Sequence, residues 1–160
     1  MKSAYLGLIL AGCLFFSHTS HAQSVYKGSP VFEKTRADLQ KAYCEISNSI
    51  HYMYNYMSRE DGGFFKYKAH EFSEKAKEAI EKADYDGTHF FYDADEDTFK
   101  IAKDKIIAAH NEIKDLTLYD PSRDGIKNRL VNPAKAAIRK LNHDMELEMD
   151  LDTCDAQYPN

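Results

Sequence analysis

The segment LQKAYCEISNSIHYMYNYM, residues 39–57, carries apolar side chains at alternating intervals of four and three positions. These residues are Leu39, Tyr43, Ile46, Ile50, Met53 and Met57. Such intervals align on one face of an α-helix and are typical of a helix that packs against other helices along its length. The segment lies within a longer predicted helix, residues 29–58, which begins with the capping hydroxyl of Ser29 and the first-turn proline Pro30.

The same periodicity predicts three more helices, over residues 64–83, 97–117 and 132–149. Gly62 and Gly63 interrupt the first connection, and Asn132 and Pro133 repeat the cap-then-proline pattern at the start of the last helix. The turn residues before Val131 leave room for one short additional helix. Four amphipathic helices with three connections predict an all-α, up-down-up-down four-helix bundle in one domain, residues 23–160.

Residues 1–22 have the three-part plan of a secretory signal peptide: a basic start, an apolar run over residues 4–16 and the small-x-small triplet Ser20-His21-Ala22. Cleavage before Gln23 predicts a periplasmic or secreted protein. The alternative is a lipid anchor at Cys13, because residues 10–13 resemble the lipobox of bacterial lipoproteins. Ordinary cleavage is favoured because the apolar run continues past Cys13. No stretch reaches the roughly 20 apolar residues of a transmembrane helix.

The formal net charge of −5 makes the chain acidic. Acidity argues against nucleic acids and anionic membrane surfaces as partners, because like charges repel at long range. It is compatible with a cationic protein partner or a metal cation, and equally with a role in solubility alone.

Cys44 and Cys154 are the cysteines that remain after signal cleavage, and an exported domain is expected to join them in a disulfide. In an up-down bundle the first and last helices are antiparallel neighbours. If Cys44 meets Cys154 on two straight helices, the same register places Met53 opposite Met145. A catalytic thiol is not expected, because Cys44 has no vicinal cysteine.

The tail from Met145 to Asp152 alternates apolar and acidic residues. We expect the last helix to reach about Met149 and to leave Leu147 and Leu151 for contact with a partner. An extended conformation is the alternative, since alternation with a period of two is the pattern of a half-buried extended segment.

Two stretches carry candidate ligand chemistry. Asp93, Asp95 and Asp97 occupy positions 1, 3 and 5 of an EF-hand-like loop, which is the basis for calcium as an alternative cofactor. Thr98 stands where the EF-hand loop requires glycine, and acids in the first turn of a helix are also explained by the helix dipole. Otherwise no cofactor is expected. Histidine spacing argues against haem, with only His110 close to a core position.

The second stretch is the aromatic linker Phe90-Phe91-Tyr92 between the second and third helices. Aromatic side chains framed by polar residues serve as anchors for protein partners. The tyrosines of the first helix, residues 52, 54 and 56, are candidates to extend this surface. The sequence has no nucleophile elbow, phosphate loop or zinc-helix motif. The predicted function is therefore non-enzymatic binding of a protein partner, of an inhibitor, immunity or accessory type, with a metal- or small-ligand-binding protein as the alternative.

Overall fold

A computed structural model describes residues 28–56, 62–87, 94–116 and 122–157. Every regular element in these ranges is helical, and they contain no strand, so the all-α prediction is confirmed. The first three helices are α1 (Pro30–Tyr56), α2 (Gly62–Gly87) and α3 (Ala94–Lys114). They are followed by α4 (Arg123–Ile126), a π-helical turn (Lys127–Val131), α5 (Asn132–Asp144) and α6 (Asp152–Gln157).

The predicted apolar face of α1 forms the centre of the core. Its described members are almost completely buried: Leu39, Tyr43, Ile46, Ile50 and Met53. Helix α1 packs along α2, and α3 packs against α2 and α5. Small residues line the α1–α2 contact, where the Ser49 hydroxyl donates a hydrogen bond to the carbonyl of Ala69 (2.7 Å). None of the helices in the described ranges has both the length and the apolar character needed to cross a membrane.

The sequence predicted that a separate helix begins at Asn132. Instead, the helical backbone continues through Asn132 without a break. Ile126, Val131 and Asn132 all have right-handed helical dihedrals, and Val131 makes no side-chain cap. Pro133 lies in the first turn of α5. Because proline has no N–H and crowds the carbonyl four residues earlier, a continuous helix must adjust there. The π-helical turn directly before α5 provides that adjustment.

Helix α5, which corresponds to the last predicted helix, ends at Asp144, earlier than the predicted end at Met149. The amide of Leu147 donates to the carbonyl of Asn142 (3.0 Å), and the amide of Glu146 donates to the carbonyl of His143 (3.3 Å). This pair of hydrogen bonds defines a Schellman motif, whose left-handed position is normally glycine. Here that position is Glu146, with φ 48°. A glutamate carries no sequence signal for this helix end.

Beyond the Schellman motif the tail turns back along α5 instead of continuing it. All four apolar residues of the alternating stretch are buried: Met145, Leu147, Met149 and Leu151. The acidic residues between them are exposed. The Asn142 side chain accepts a hydrogen bond from the Met149 amide (2.8 Å) and donates one to its carbonyl (3.3 Å). The non-helical alternative is therefore correct, and its period of two places one side of the segment in the core.

The disulfide between Cys44 and Cys154 is present, with the two Cα atoms 5.0 Å apart. The predicted helix register, with Met53 opposite Met145, was wrong. It assumed that Cys154 lies on a straight continuation of the last long helix, whereas Cys154 lies on α6, after the chain has reversed. The Arg139 side chain of α5 donates a hydrogen bond to the Tyr43 hydroxyl of α1 (2.9 Å). Helix α1 therefore contacts α5 before α5 ends at Asp144. The Tyr54 hydroxyl donates to Asp124, so the end of α1 lies beside α4.

A polar cluster beside the disulfide holds α6 in place. The Asp155 carboxylate accepts hydrogen bonds from Tyr43 (2.7 Å), Lys135 (2.6 Å) and Arg139 (2.6 Å). Burial acts to raise the pKa of Asp155, but these three donors outweigh it and hold the pKa below its ordinary value. Lys135 and Arg139 also lie 4.9 and 5.4 Å from the centre of the Tyr43 ring. The cluster joins α1, α5 and α6 on one side of the molecule.

The Schellman assignment makes a stability prediction. Glu146→Gly should raise the free energy of unfolding by up to about 1 kcal/mol, because a non-glycine residue in the left-handed region costs about 1–2 kcal/mol, partly offset by the greater backbone freedom of glycine when unfolded. Urea unfolding measures the change. The matched control is Glu78→Gly, in the middle of α2, which should lower stability by about 1 kcal/mol. Equal losses in both variants would contradict the left-handed helix end.

Candidate functional site

The residues that the sequence predicted to bind a partner fall into two groups. Phe90, Phe91 and Tyr92 lie outside the described residues. Leu147 and Leu151 are each only 3% exposed. These leucines are therefore not available as the predicted partner-binding edge, because the folded-back tail packs them into the core.

The proposed calcium ligands are described only in part, since Asp93 lies outside the described residues. Asp95 and Asp97 are in the first turn of α3, where the helix dipole favours acids. Burial raises the pKa of Asp95, and the neighbouring Asp144 carboxylate raises it further. In the described ranges no three His, Cys, Asp or Glu residues are grouped so that they could hold a metal ion. The calcium hypothesis gains no support from Asp95 and Asp97.

The most exposed large apolar side chains of the described residues lie together at the start of α2. Phe64 is 57% exposed and Tyr67 is 63% exposed. They are three positions apart, which makes them neighbours on the helix surface. Single exposed apolar residues are ordinary, but adjacent exposed aromatic rings are characteristic of contact surfaces. We call Phe64 and Tyr67 the aromatic pair.

A shallow cavity of about 280 Å³ adjoins the aromatic pair. Its described lining residues are Gly63, Lys66, Tyr67, His70 and Lys114. We call it the α2–α3 cleft, because Lys114 comes from the last turn of α3 and the others from the start of α2. No acidic residue belongs to this described lining, although the chain as a whole is acidic.

The basic character of the α2–α3 cleft is not cancelled by local ion pairs. Neither Lys66 nor Lys114 forms a salt bridge with any described residue. The acid on the next turn of α2, Glu71, is already engaged by Lys68 (2.7 Å) and Lys75 (2.6 Å). Hydrogen bonds from these two lysines lower the pKa of Glu71 to about 2, so it stays ionised and paired. The cleft therefore presents unpaired positive charge.

A row of packed rings supports the aromatic pair from below. Tyr52 of α1 stacks on Phe72 with ring centres 5.2 Å apart and lies 6.3 Å from Phe65. Phe65 in turn meets Phe64 edge to face at 5.5 Å. Tyr52 thus belongs to the support of this surface, whereas Tyr54 bonds to Asp124 at the α1–α4 contact. Because its inner neighbours are packed, Phe64 is presented from a fixed position.

A buried histidine on α3 packs against His70, which lines the cleft. The rings of His70 and His110 lie 5.2 Å apart, and His110 is only 6% exposed. The Ser73 hydroxyl donates to the carbonyl of His70 (2.8 Å) and lies 3.0 Å from Nδ1 of His110. Since the only hydroxyl proton is used for the carbonyl, Nδ1 of His110 must carry a proton and donate to Ser73. Burial lowers the pKa of His110, with a contribution from His70.

The contact between Ser73 and His110 resembles that between the nucleophile and the base of a hydrolase. The rest of the arrangement does not. Ser73 is fully buried between α2 and α3 and its proton points to a backbone carbonyl. A nucleophile must reach its substrate and give its proton to the base. We therefore assign this pair a structural role in orienting His70.

The sequence analysis did not identify this surface. Phe65 and Phe72 follow the apolar period of the second predicted helix, whereas Phe64 and Tyr67 fall outside it. Aromatic residues that fall outside the apolar face were the available signal. The convergence of Lys114 on the same cleft depends on the α2–α3 register, which the sequence pattern does not specify.

Comparisons of this chain with protein-family models, with curated proteins and with solved structures find no match.

The buried His110 makes a pH prediction. Its pKa is lowered in the folded protein, so below the ordinary value of 6.5 the unfolded chain binds the proton more readily. Folding stability should therefore fall as the pH drops through that value. The electrostatic neighbours of His110 besides His70 are Lys77, Glu74 and Lys114. Denaturant unfolding over a pH series measures the slope.

The variant His110→Gln, which keeps a hydrogen-bond donor for Ser73, should show a smaller loss of stability between about pH 7.5 and pH 5. The control is His143→Gln, at a side chain that is 89% exposed, and it should retain the wild-type pH dependence. A slope unchanged in His110→Gln would contradict the proposed burial of a neutral imidazole.

Proposed function

We propose that this protein is an exported, non-enzymatic, up-down-up-down helical bundle that binds a protein partner through the aromatic pair and the α2–α3 cleft. The single observation that carries the proposal is the position of the aromatic pair, Phe64 and Tyr67, beside a cleft with unpaired positive charge. Aromatic side chains are enriched at the energetic centre of protein interfaces, and the surrounding rim is polar.

The dimensions of the cleft favour a protein partner over a small ligand. Ligand pockets usually enclose about 300–1,000 Å³ and bury most of the ligand. The α2–α3 cleft, at about 280 Å³, is shallow and opens to solvent beside exposed rings. A cleft of this size suits one or two side chains of a larger partner whose remaining surface covers Phe64 and Tyr67.

Two features support the bundle and export parts of the proposal. The pairing of α1 with α2, of α2 with α3 and of α3 with α5 is the neighbour order of an up-down bundle. A disulfide joining positions 110 residues apart is typical of proteins that fold in an oxidising compartment. The signal peptide over residues 1–22 lies outside the described residues and belongs to the proposal on the grounds of its sequence.

Capture from envelope extract of the source organism tests the surface. Immobilised oxidised wild-type protein should retain a partner that Phe64→Ala/Tyr67→Ala loses. With the purified partner, the double variant should bind at least about ten-fold more weakly, because interface aromatic anchors are worth about 1–2 kcal/mol or more. Quantitative mass spectrometry identifies the retained protein, and titration calorimetry measures its affinity.

The matched control is Val31→Ala/Ile101→Ala, which removes two other exposed apolar side chains, 45% and 49% exposed. This control should retain the partner. The proposal is wrong if the aromatic double variant retains the same proteins as wild type, or if wild type retains none above the bare resin.

A further inference from the structure

We infer that the partner inserts a carboxylate, carried by an acidic peptide segment, between Lys66 and Lys114 in the α2–α3 cleft. This inference rests on the proposed function, since it names the chemistry of the partner that the aromatic pair would bind.

The first step is charge. Lys66 and His70 from α2 and Lys114 from α3 line the same cleft. Neither lysine is paired with a described acid, whereas Lys68 and Lys75 on the neighbouring face are both paired with Glu71. Two like charges brought to one cleft repel each other, and an anion placed between them removes that repulsion. The cleft is thus complementary to a negative group.

The second step is the kind of anion. Nucleic acids and extended anionic membranes would meet the net charge of −5 of the whole chain, which opposes their approach at long range. A carboxylate on a short segment carries far less charge than a polyanion, so the same repulsion opposes it less. The adjacent rings of Phe64 and Tyr67 are exposed and suited to an apolar residue of the same segment. An acidic side chain followed by an apolar one fits both features at once.

The third step is rigidity. His70 is held against His110, whose own ring is fixed by Ser73 at 3.0 Å. This side of the cleft therefore keeps its form without a ligand, so that less ordering is needed when a partner binds.

The test uses an oxidised, ¹⁵N-labelled sample of the full protein and a peptide made of two Gly-Glu-Phe-Glu-Gly repeats. Saturable amide shifts are expected at Gly63, Lys66 and His70. The same peptide with glutamine in place of every glutamate should bind about five-fold more weakly, as expected for the loss of two exposed ion pairs. Lys66→Gln/Lys114→Gln should weaken the glutamate peptide by the same factor.

The matched control is Lys82→Gln/Lys100→Gln, at two exposed lysines outside the cleft, which should bind the glutamate peptide as wild type does. Vesicles of phosphatidylglycerol and free inorganic phosphate provide the competing anions. The inference is overturned if the glutamine peptide binds equally well, if the lysine variant in the cleft binds as wild type, if no saturable shift occurs, or if vesicles or phosphate bind the cleft better than the peptide.

The two proposals fail in different ways. If a captured partner is lost by Phe64→Ala/Tyr67→Ala but retained by Lys66→Gln/Lys114→Gln, the carboxylate inference is wrong and the partner-binding surface stands. If the aromatic variant loses no captured protein, the surface itself is wrong.

Discussion

The return of the C-terminal tail onto α1 and α5 is the constraint on which the architecture depends. Helices α1 and α5 make few direct contacts, and the tail contributes four buried apolar residues to the core they share. The Cys44–Cys154 disulfide closes this arrangement covalently and, in the chain-entropy model, contributes up to about 4.7 kcal/mol for a loop of about 100 residues. The ion pairs of Asp155 must overcome a desolvation penalty, so their main effect is to select this position for α6.

The tail fixes one side of the molecule and leaves the α2–α3 side to present the candidate binding surface. Acidic side chains near the tail are either exposed or paired. Asp155, for example, is paired with Lys135 and Arg139. At the α2–α3 cleft the balance is reversed, because no described acid pairs with Lys66 or Lys114 beside the exposed rings. An acidic protein with a local basic, aromatic surface has an asymmetry that can orient a partner during encounter. The contact between the His70 and His110 rings and the ring row beneath that surface support it.

Much of the fold could be predicted from the sequence, because the intervals in residues 39–57 require one apolar helical face. The cysteine pair followed from the export signal and the cysteine count, whereas the helix register built on it was wrong. The end of the last helix was missed because Glu146 occupies a position where glycine is the usual signal. The alternation in the tail allowed two conformations, and only packing against α5 selects between them. The candidate surface needed tertiary information, since Lys114 and His110 reach α2 across the helix interface.

Native-state hydrogen exchange of the tail amides in the oxidised protein tests the central claim most directly. The amides of Leu147 and Met149 donate to the backbone and side chain of Asn142. They should exchange at least about 100-fold more slowly than in an unstructured peptide, as buried, hydrogen-bonded amides do. Exchange of both amides at the unprotected rate would show that the tail does not lie in the core, and the proposed architecture would be wrong.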